Sequence, residues 1–333
     1  MLKELCLLNG ASGREDAVRE FIIAQIKDYC EYSVDSLGNI IAFKKGAVEP
    51  ENRLMICAHM DEVAFIVNYI TDDGYLKISP VGGVDPRVVV GRRVTVNGIN
   101  GVIGSKAVHL LSDDEKKKAP DFEKLYVDIG AVDRKQAEKY VSLGDTVYFN
   151  SDFLEFGNGY VKSKALDDRI GCYLMIKLIK SEIKYSTYFC FNVQEEVGLR
   201  GAECSAYTVN PDVSLILEAT TAADLNCVSG ADRCCVLGEG PVISYMDRHT
   251  IYDKELYSSA MNCAAEIGIK AQTKTRIAGG NDAGAVQRSG NGCRVLAVSL
   301  PCRYIHSGAS VVKKSDIEQT EKLLKAYLER IYD

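Results

Sequence analysis

The chain has 333 residues, 47% of them apolar, a formal net charge of −6 and a pI near 5.5. That length accommodates one large core plus a smaller unit, and the acidic balance argues against a nucleic-acid-binding surface. No apolar run approaches the roughly 18–20 residues of a membrane span, and twelve cysteines scattered without a CxxC pair point to free thiols in a reducing cytoplasm rather than a disulfide framework.

The opening M-L-K-E-L-C-L-L-N-G turns polar too soon for a signal peptide. Ser12 and Glu15 have capping-box spacing, and Val18, Phe21, Ile22 and Ile26 keep helical periodicity, which predicts a helix over about 13–30. Two short strands follow near 32–35 and 39–43. Leu54 to Ala58 is continuously apolar, as in a strand buried on both faces, and similar runs recur at 187–193, 213–217 and 294–299. Helical patterns lie near 168–181, 201–207, 253–268 and 315–332, the last with a second capping box at Ser315 and Glu318. Alternating buried strands and helices predict an α/β fold with helices on both faces of a sheet. The stretch 66–162 differs: rich in Val and Gly, with Asn97-Gly98 and Asn100-Gly101 as hairpin signals and a helical pattern only near 133–141. It reads as a small β-rich domain, 66–162, inserted into an α/β domain formed by 1–65 and 163–333.

Polar residues follow the buried runs. His59-Met60-Asp61-Glu62 follows the first, Gln194-Glu195-Glu196 the second and Glu218 the third; Arg303-Tyr304-Ile305-His306 comes after the fourth, and Lys164-Ala165-Leu166-Asp167-Asp168-Arg169 precedes a helix. Open α/β sheets bind ligands outside the carboxyl ends of their strands, so these clusters converge on one edge. Singly, each has a plainer reading: a helix N-terminus for Asp-Asp, a solvated turn for Glu-Glu, a satisfied hydrogen bond for a lone His. Adjacent carboxylates after a buried strand repel one another unless something positive lies between them. Histidine plus carboxylate is a ligand set for zinc, cobalt or manganese. His109 and His249 lack an acidic strand-end setting and read as structural or surface residues.

The motifs A-H-M-D-E-V-A-F (58–65), K-A-L-D-D-R-I-G (164–171), Q-E-E-V-G-L-R-G-A (194–202), L-E-A-T-T-A-A-D (217–224), A-G-G-N-D-A-G (278–284) and C-R-Y-I-H-S (302–307) span nearly the whole chain. In that order they resemble the M42 family of co-catalytic metallo-aminopeptidases. The resemblance implies a three-layer α/β/α metallo-exopeptidase domain whose insert serves dimerisation. It implies two divalent metal ions per subunit (Zn, Co or Mn), one held by His59, Asp167 and Glu218 and the other by Asp167, Glu196 and His306. Asp167 would bridge them ahead of a cis peptide, Asp61 would orient His59, and Glu195 would act as general base on a metal-bridging water. Short peptides are the implied substrates, and a cytoplasmic homo-oligomer of dimers, up to a dodecamer, the implied assembly. Glu218 stands where many relatives carry Asp, Asn281 where Thr is common, Ala64 where Gly is common, and Gly308-Ala309-Ser310 where Pro-x-Glu is more usual. A metal-dependent deacylase of N-acyl amino acids would use the same groups. An endoglucanase would need no metal, whereas two well-placed histidines accompany these carboxylates, and tryptophan, a common sugar platform, is absent. A metal-stabilised scaffold would have no use for Glu195 as a spare base. Asp282, Arg248 and Arg276 are candidate lining residues for a specificity pocket.

Overall fold

The computed structural model describes residues 1–332. Its main sheet has eight strands, in the spatial order Glu31–Val34, Ile40–Lys44, Thr187–Asn192, Leu54–His59, Val213–Thr221, Arg294–Cys302, Val242–Ile243 and Gln272–Thr273. The third to sixth run parallel, with Asn192 opposite His59 and Glu218 opposite Ser299. Parallel strands need covering on both faces, and the buried runs are covered accordingly. On one face the helices Asp16–Ile26, Leu166–Ile179, Lys254–Glu266 and Lys314–Leu328 enclose a core that includes Ile22, Ile56, Ile170, Phe189, Leu215 and Leu324. On the other, Arg200–Val209 and Ala283–Val286 pack over Met55, Cys57, Cys190 and Ile216. The result is an α/β/α sandwich.

Residues Ala64 to Phe149 supply a closed six-stranded barrel, ordered Ala64–Ile70, Leu76–Val81, Tyr126–Asp128, Ile99–Gly104, Arg93–Val96 and Thr146–Phe149. It has its own core, including Phe65, Val67, Leu76, Val94, Ile103 and Val147. Asn97 and Gly98, both at positive φ, turn Val96 into Ile99 as a two-residue hairpin. Asn100-Gly101 is instead inside a paired strand. The helical pattern at 133–141 shrinks to Arg134–Ala137.

Several local readings are corrected. A helix at Leu2–Leu7 has no counterpart among the sequence expectations. Neither capping box forms: the helix starting at Asp16 has no side-chain cap, and Ser12 donates instead to Asp61 Oδ2 at 2.6 Å. The last helix starts at Lys314 without a side-chain cap, and Asp316 accepts from the Gly238 and Gly240 amides. The strand expected over 213–217 continues to Thr221, so Glu218 projects from within a strand.

Candidate metal centre

The carboxyl ends of the four parallel strands bring the polar clusters together. His59 is the last residue of its strand, and its Nδ1 faces the Asp61 carbonyl at 3.1 Å. A carbonyl can only accept, so Nδ1 carries the hydrogen and Nε2 is left as the ligand atom. That atom lies 3.4 Å from Asp167 Oδ1 and 3.8 Å from Glu218 Oε2. His306 sits at φ +59 in the loop after Cys302, and its Nδ1 donates to the Gly83 carbonyl of the barrel at 2.8 Å. Its Nε2 then lies 3.3 Å from Asp167 Oδ2 and 3.4 Å from Glu196 Oε2.

Asp167 occupies the irregular first turn of Leu166–Ile179, where Asp167 and Asp168 leave helical dihedrals and their shared peptide bond is cis. Beneath this turn is a buried ionic cluster that sequence reasoning did not single out. Lys164 Nζ lies 2.6 Å from Glu62 Oε1, Arg169 Nη2 lies 3.5 Å from the same oxygen, and Arg169 Nε donates to Met60 O. Arg169 thus fastens the Asp167 turn to the loop after His59. Asp61 organises the other side. Its Oδ1 accepts from the Glu195 amide at 3.0 Å, and its Oδ2 accepts from the Glu196 amide at 3.2 Å and from Ser12. Glu15 Oε1 supports the same loop by accepting from Gly13 and Gln194. Gly83 did not stand out in the sequence, and Ser12 stood out only as a helix cap.

The electrostatics call for cations. Burial pushes the carboxyls of Glu195 and Glu218 well above the usual range, and their acidic neighbours add to the shift. Burial and repulsion from Asp167 bring Glu196 to about 7 although His306 opposes them. Burial also works against ionising Asp167, yet the facing His306 and His59 rings hold it well below the usual range. Both rings are correspondingly raised, His306 to about 9, against the effect of their own burial. Asp167 Oδ1, Asp168 Oδ2 and Glu218 Oε1 are buried with no hydrogen-bond partner. Unpartnered buried carboxylate oxygens are expensive, and a divalent cation satisfies them. Ligand atoms of His59, Asp167 and Glu196 lie within 4.8 Å of one another, as do those of His59, Asp168 and Glu218. Asp168 therefore enters the cluster although it was not expected among the ligands. The donor set, imidazole and carboxylate, suits zinc, cobalt or manganese.

A cavity of ≈ 380 Å³ opens onto His59, Asp167, Glu195, Glu218 and His306. Lys274 and Arg276 also line it, Arg276 paired with Asp232. Of the proposed lining residues, only Arg276 is there. Asp282 is fully buried, accepts from Asn192 and does not line the cavity. Arg248 is exposed and does not line the cavity, although its amide donates to Gly279, which does; His109 and His249 are exposed as well.

An α/β/α sandwich with this constellation outside its parallel strands defines a metal-dependent hydrolase. A family model described as M42 glutamyl aminopeptidase matches residues 38–323. The chain is 32% identical to the lysyl aminopeptidase of Pyrococcus furiosus, over 99% of this chain and 96% of that one. The Pyrococcus horikoshii TET1 peptidase, which assembles into a tetrahedron or a large octahedral shell, superposes with a TM-score of 0.86 at 35% identity, covering 98% of each chain. A Thermotoga maritima structure described as an endoglucanase gives a TM-score of 0.82 at 36% identity, over 99% of this chain and 97% of that one. The chain belongs to the M42 peptidase family, and it is a metal-dependent aminopeptidase. No helix among the described residues is long and apolar enough to cross a membrane.

Proposed function

We propose that this aminopeptidase removes single N-terminal residues, acidic ones preferentially, from short peptides. The observation that carries the site assignment is Asp167, which turns Oδ1 to His59 and Oδ2 to His306. On this reading His59, Asp167 and Glu218 would hold one divalent cation, and Asp167, Glu196 and His306 a second. When bound, such cations polarise a carbonyl and acidify water. Glu195 lines the cavity and has no hydrogen-bond partner for its carboxylate, so it is free to accept a proton and return it to the leaving amine. Asp61 holds the Glu195 and Glu196 amides and so fixes where both side chains start. Six carboxylates (Asp61, Asp167, Asp168, Glu195, Glu196 and Glu218) exceed the charge of two dications, which favours a substrate with a free ammonium group over an N-acylated one.

The acidic preference rests on Lys274. It is half-buried in the cavity wall, and its Nζ donates to the Ala278 carbonyl at 3.0 Å without a carboxylate partner. Arg276 beside it is already paired with Asp232. The test compares kcat/KM for glutamyl, lysyl and leucyl p-nitroanilides. The glutamyl substrate should lead by about tenfold, one charge-assisted contact, and Lys274→Met should remove that lead while sparing leucine. Faster lysyl turnover would refute the preference.

The barrel is read as the dimerising unit and the protein as a cytoplasmic homo-oligomer. Support comes from the assemblies of the TET1 peptidase and from twelve cysteines that are all free thiols. Light scattering that gives a monomer at micromolar concentration would contradict the assembly.

A further inference from the structure

The cavity wall carries a thiol that the aminopeptidase reaction does not use, Cys234, next in sequence to a second cysteine, Cys235. Cys234 lines the cavity together with Lys274, Arg276 and Asp232. Its neighbour Cys235 is turned away, and its Sγ donates to the Thr221 carbonyl at 3.3 Å, at the end of the strand that carries Glu218. Cys234 is the central residue of a γ-turn: it has φ +58 and ψ −67, and the Cys235 amide donates to the Arg233 carbonyl at 2.6 Å. That conformation is rare and strained for a residue with a side chain. The turn is anchored from outside, since Thr275 donates to the Cys234 carbonyl through both its amide and its hydroxyl.

We propose that Cys234 is a covalent modification site, at which low-molecular-weight disulfides form a mixed disulfide whose attached group fills the catalytic cavity. The inference rests on reading that cavity as the path of the substrate's N-terminal side chain. Two features converge on the sulfur: the cavity brings the reagent to it, and Lys274 and Arg276 supply positive charge. The adjacent Cys235 thiol foremost, with the nearby Lys274 and Arg276, lowers Cys234 to about 6, against the effect of burial, which leaves the residue 6% exposed. Burial raises Cys57, Cys172, Cys190 and Cys302 instead and leaves them as inert thiols.

The step is thiol–disulfide exchange. The Cys234 thiolate attacks one sulfur of the reagent, a new S–S bond forms, and the reagent's own S–S bond breaks. The departing thiolate takes a proton from water. Cys234 is oxidised to the disulfide level while the released half is reduced to a thiol, so no further oxidant is needed. A carboxylate-bearing reagent such as glutathione disulfide also meets the charge of Lys274.

The experiment incubates the metal-loaded enzyme with glutathione disulfide at pH 6. Peptide mass spectrometry locates the adduct, and turnover is followed on whichever p-nitroanilide the untreated enzyme cleaves fastest. At this pH the larger thiolate fraction of Cys234, offset by its lower intrinsic nucleophilicity, should make it react about tenfold faster than an ordinary thiol. The comparison is the exposed Cys204. Turnover should fall in step with Cys234 occupancy and return with dithiothreitol. In Cys234→Ser, turnover should be the same with and without the disulfide, and Cys235→Ala should slow labelling of Cys234. Labelling of Cys204 ahead of Cys234, or full Cys234 occupancy with undiminished turnover, overturns the proposal. An untreated enzyme that spares glutamyl substrates would refute the acidic preference alone, since labelling and occlusion are read independently of it.

Discussion

Asp167 Oδ2 lies 3.3 Å from His306 Nε2, while the other oxygen of the same carboxylate faces His59. One side chain therefore joins two histidines, one ending the strand 54–59 and the other in the loop after the strand 294–302, two strands separated in the sheet by that of Glu218. Removing it should disturb both halves of the site together. Asp167→Ala is expected to bind close to no metal by elemental analysis and to lose at least about 10³-fold in kcat, several kcal/mol of transition-state stabilisation. Retention of one tightly bound ion would show that Asp167 serves a single site.

Glu195 and Glu196 are adjacent but point to different partners: Glu196 reaches His306, whereas Glu195 lines the cavity. Glu195→Gln should keep its metal content and still bind a product-like inhibitor while kcat falls by roughly 10²–10⁴. Glu196→Gln should lose metal as well as rate. Both quantities are measured on the same sample. The opposite pattern reverses the two roles, and wild-type turnover of Glu195→Gln refutes the mechanism.

Asp61→Asn tests positioning. The carboxylate accepts three hydrogen bonds, and an amide nitrogen in place of either oxygen would oppose a donor. Supporting groups of this kind contribute about 10–100-fold to metal affinity or activity. The expected signature is a lower kcat and weaker metal retention at unchanged KM. A change in KM alone would place Asp61 in substrate binding instead.

The pH dependence of stability should show Glu15. Burial raises its carboxyl to about 7, although the Gly13 and Gln194 amides favour the charged form. The unfolded value is about 4.3. Because the folded state holds this proton more tightly, ionisation opposes folding as pH rises from about 4.5 and does so fully above 7, by an amount on the order of 3 kcal/mol. Glu15→Gln keeps the acceptor oxygen and removes the charge. In metal-free protein it should unfold several degrees above wild type at pH 8 and at about the same temperature at pH 4.5. An equal difference at both pH values would sink this account.

Much of this architecture is legible in the sequence because strand burial and strand-end polarity are local signals. Leu54 to Ala58 announces a central strand, and His59 and Asp61 mark its functional end. What failed were patterns whose side chains found distant partners. Ser12 and Glu15 match a capping box, yet Asp61 and Gln194 compete successfully for their oxygens. Ser315 and Glu318 match another, but Asp316 between them binds the Gly238–Gly240 loop. The Gly83 carbonyl that sets the His306 tautomer was invisible, since every residue carries a carbonyl and only tertiary structure selects one. The reach of Glu218 from within its strand was missed because buried apolar residues continue to Ala219.

The contact between His306 and Gly83 spans 223 residues and links the sandwich to the barrel. A ribosome-bound chain can complete its barrel, and the strand of His59, long before residue 306 has been translated. Until that residue emerges there is no ring facing Asp167 Oδ2 and Glu196 Oε2. On the proposed site assignment, a growing polypeptide would lack the second half of its metal centre until the His306 loop is made, so peptide hydrolysis would follow synthesis of that loop and not of the barrel.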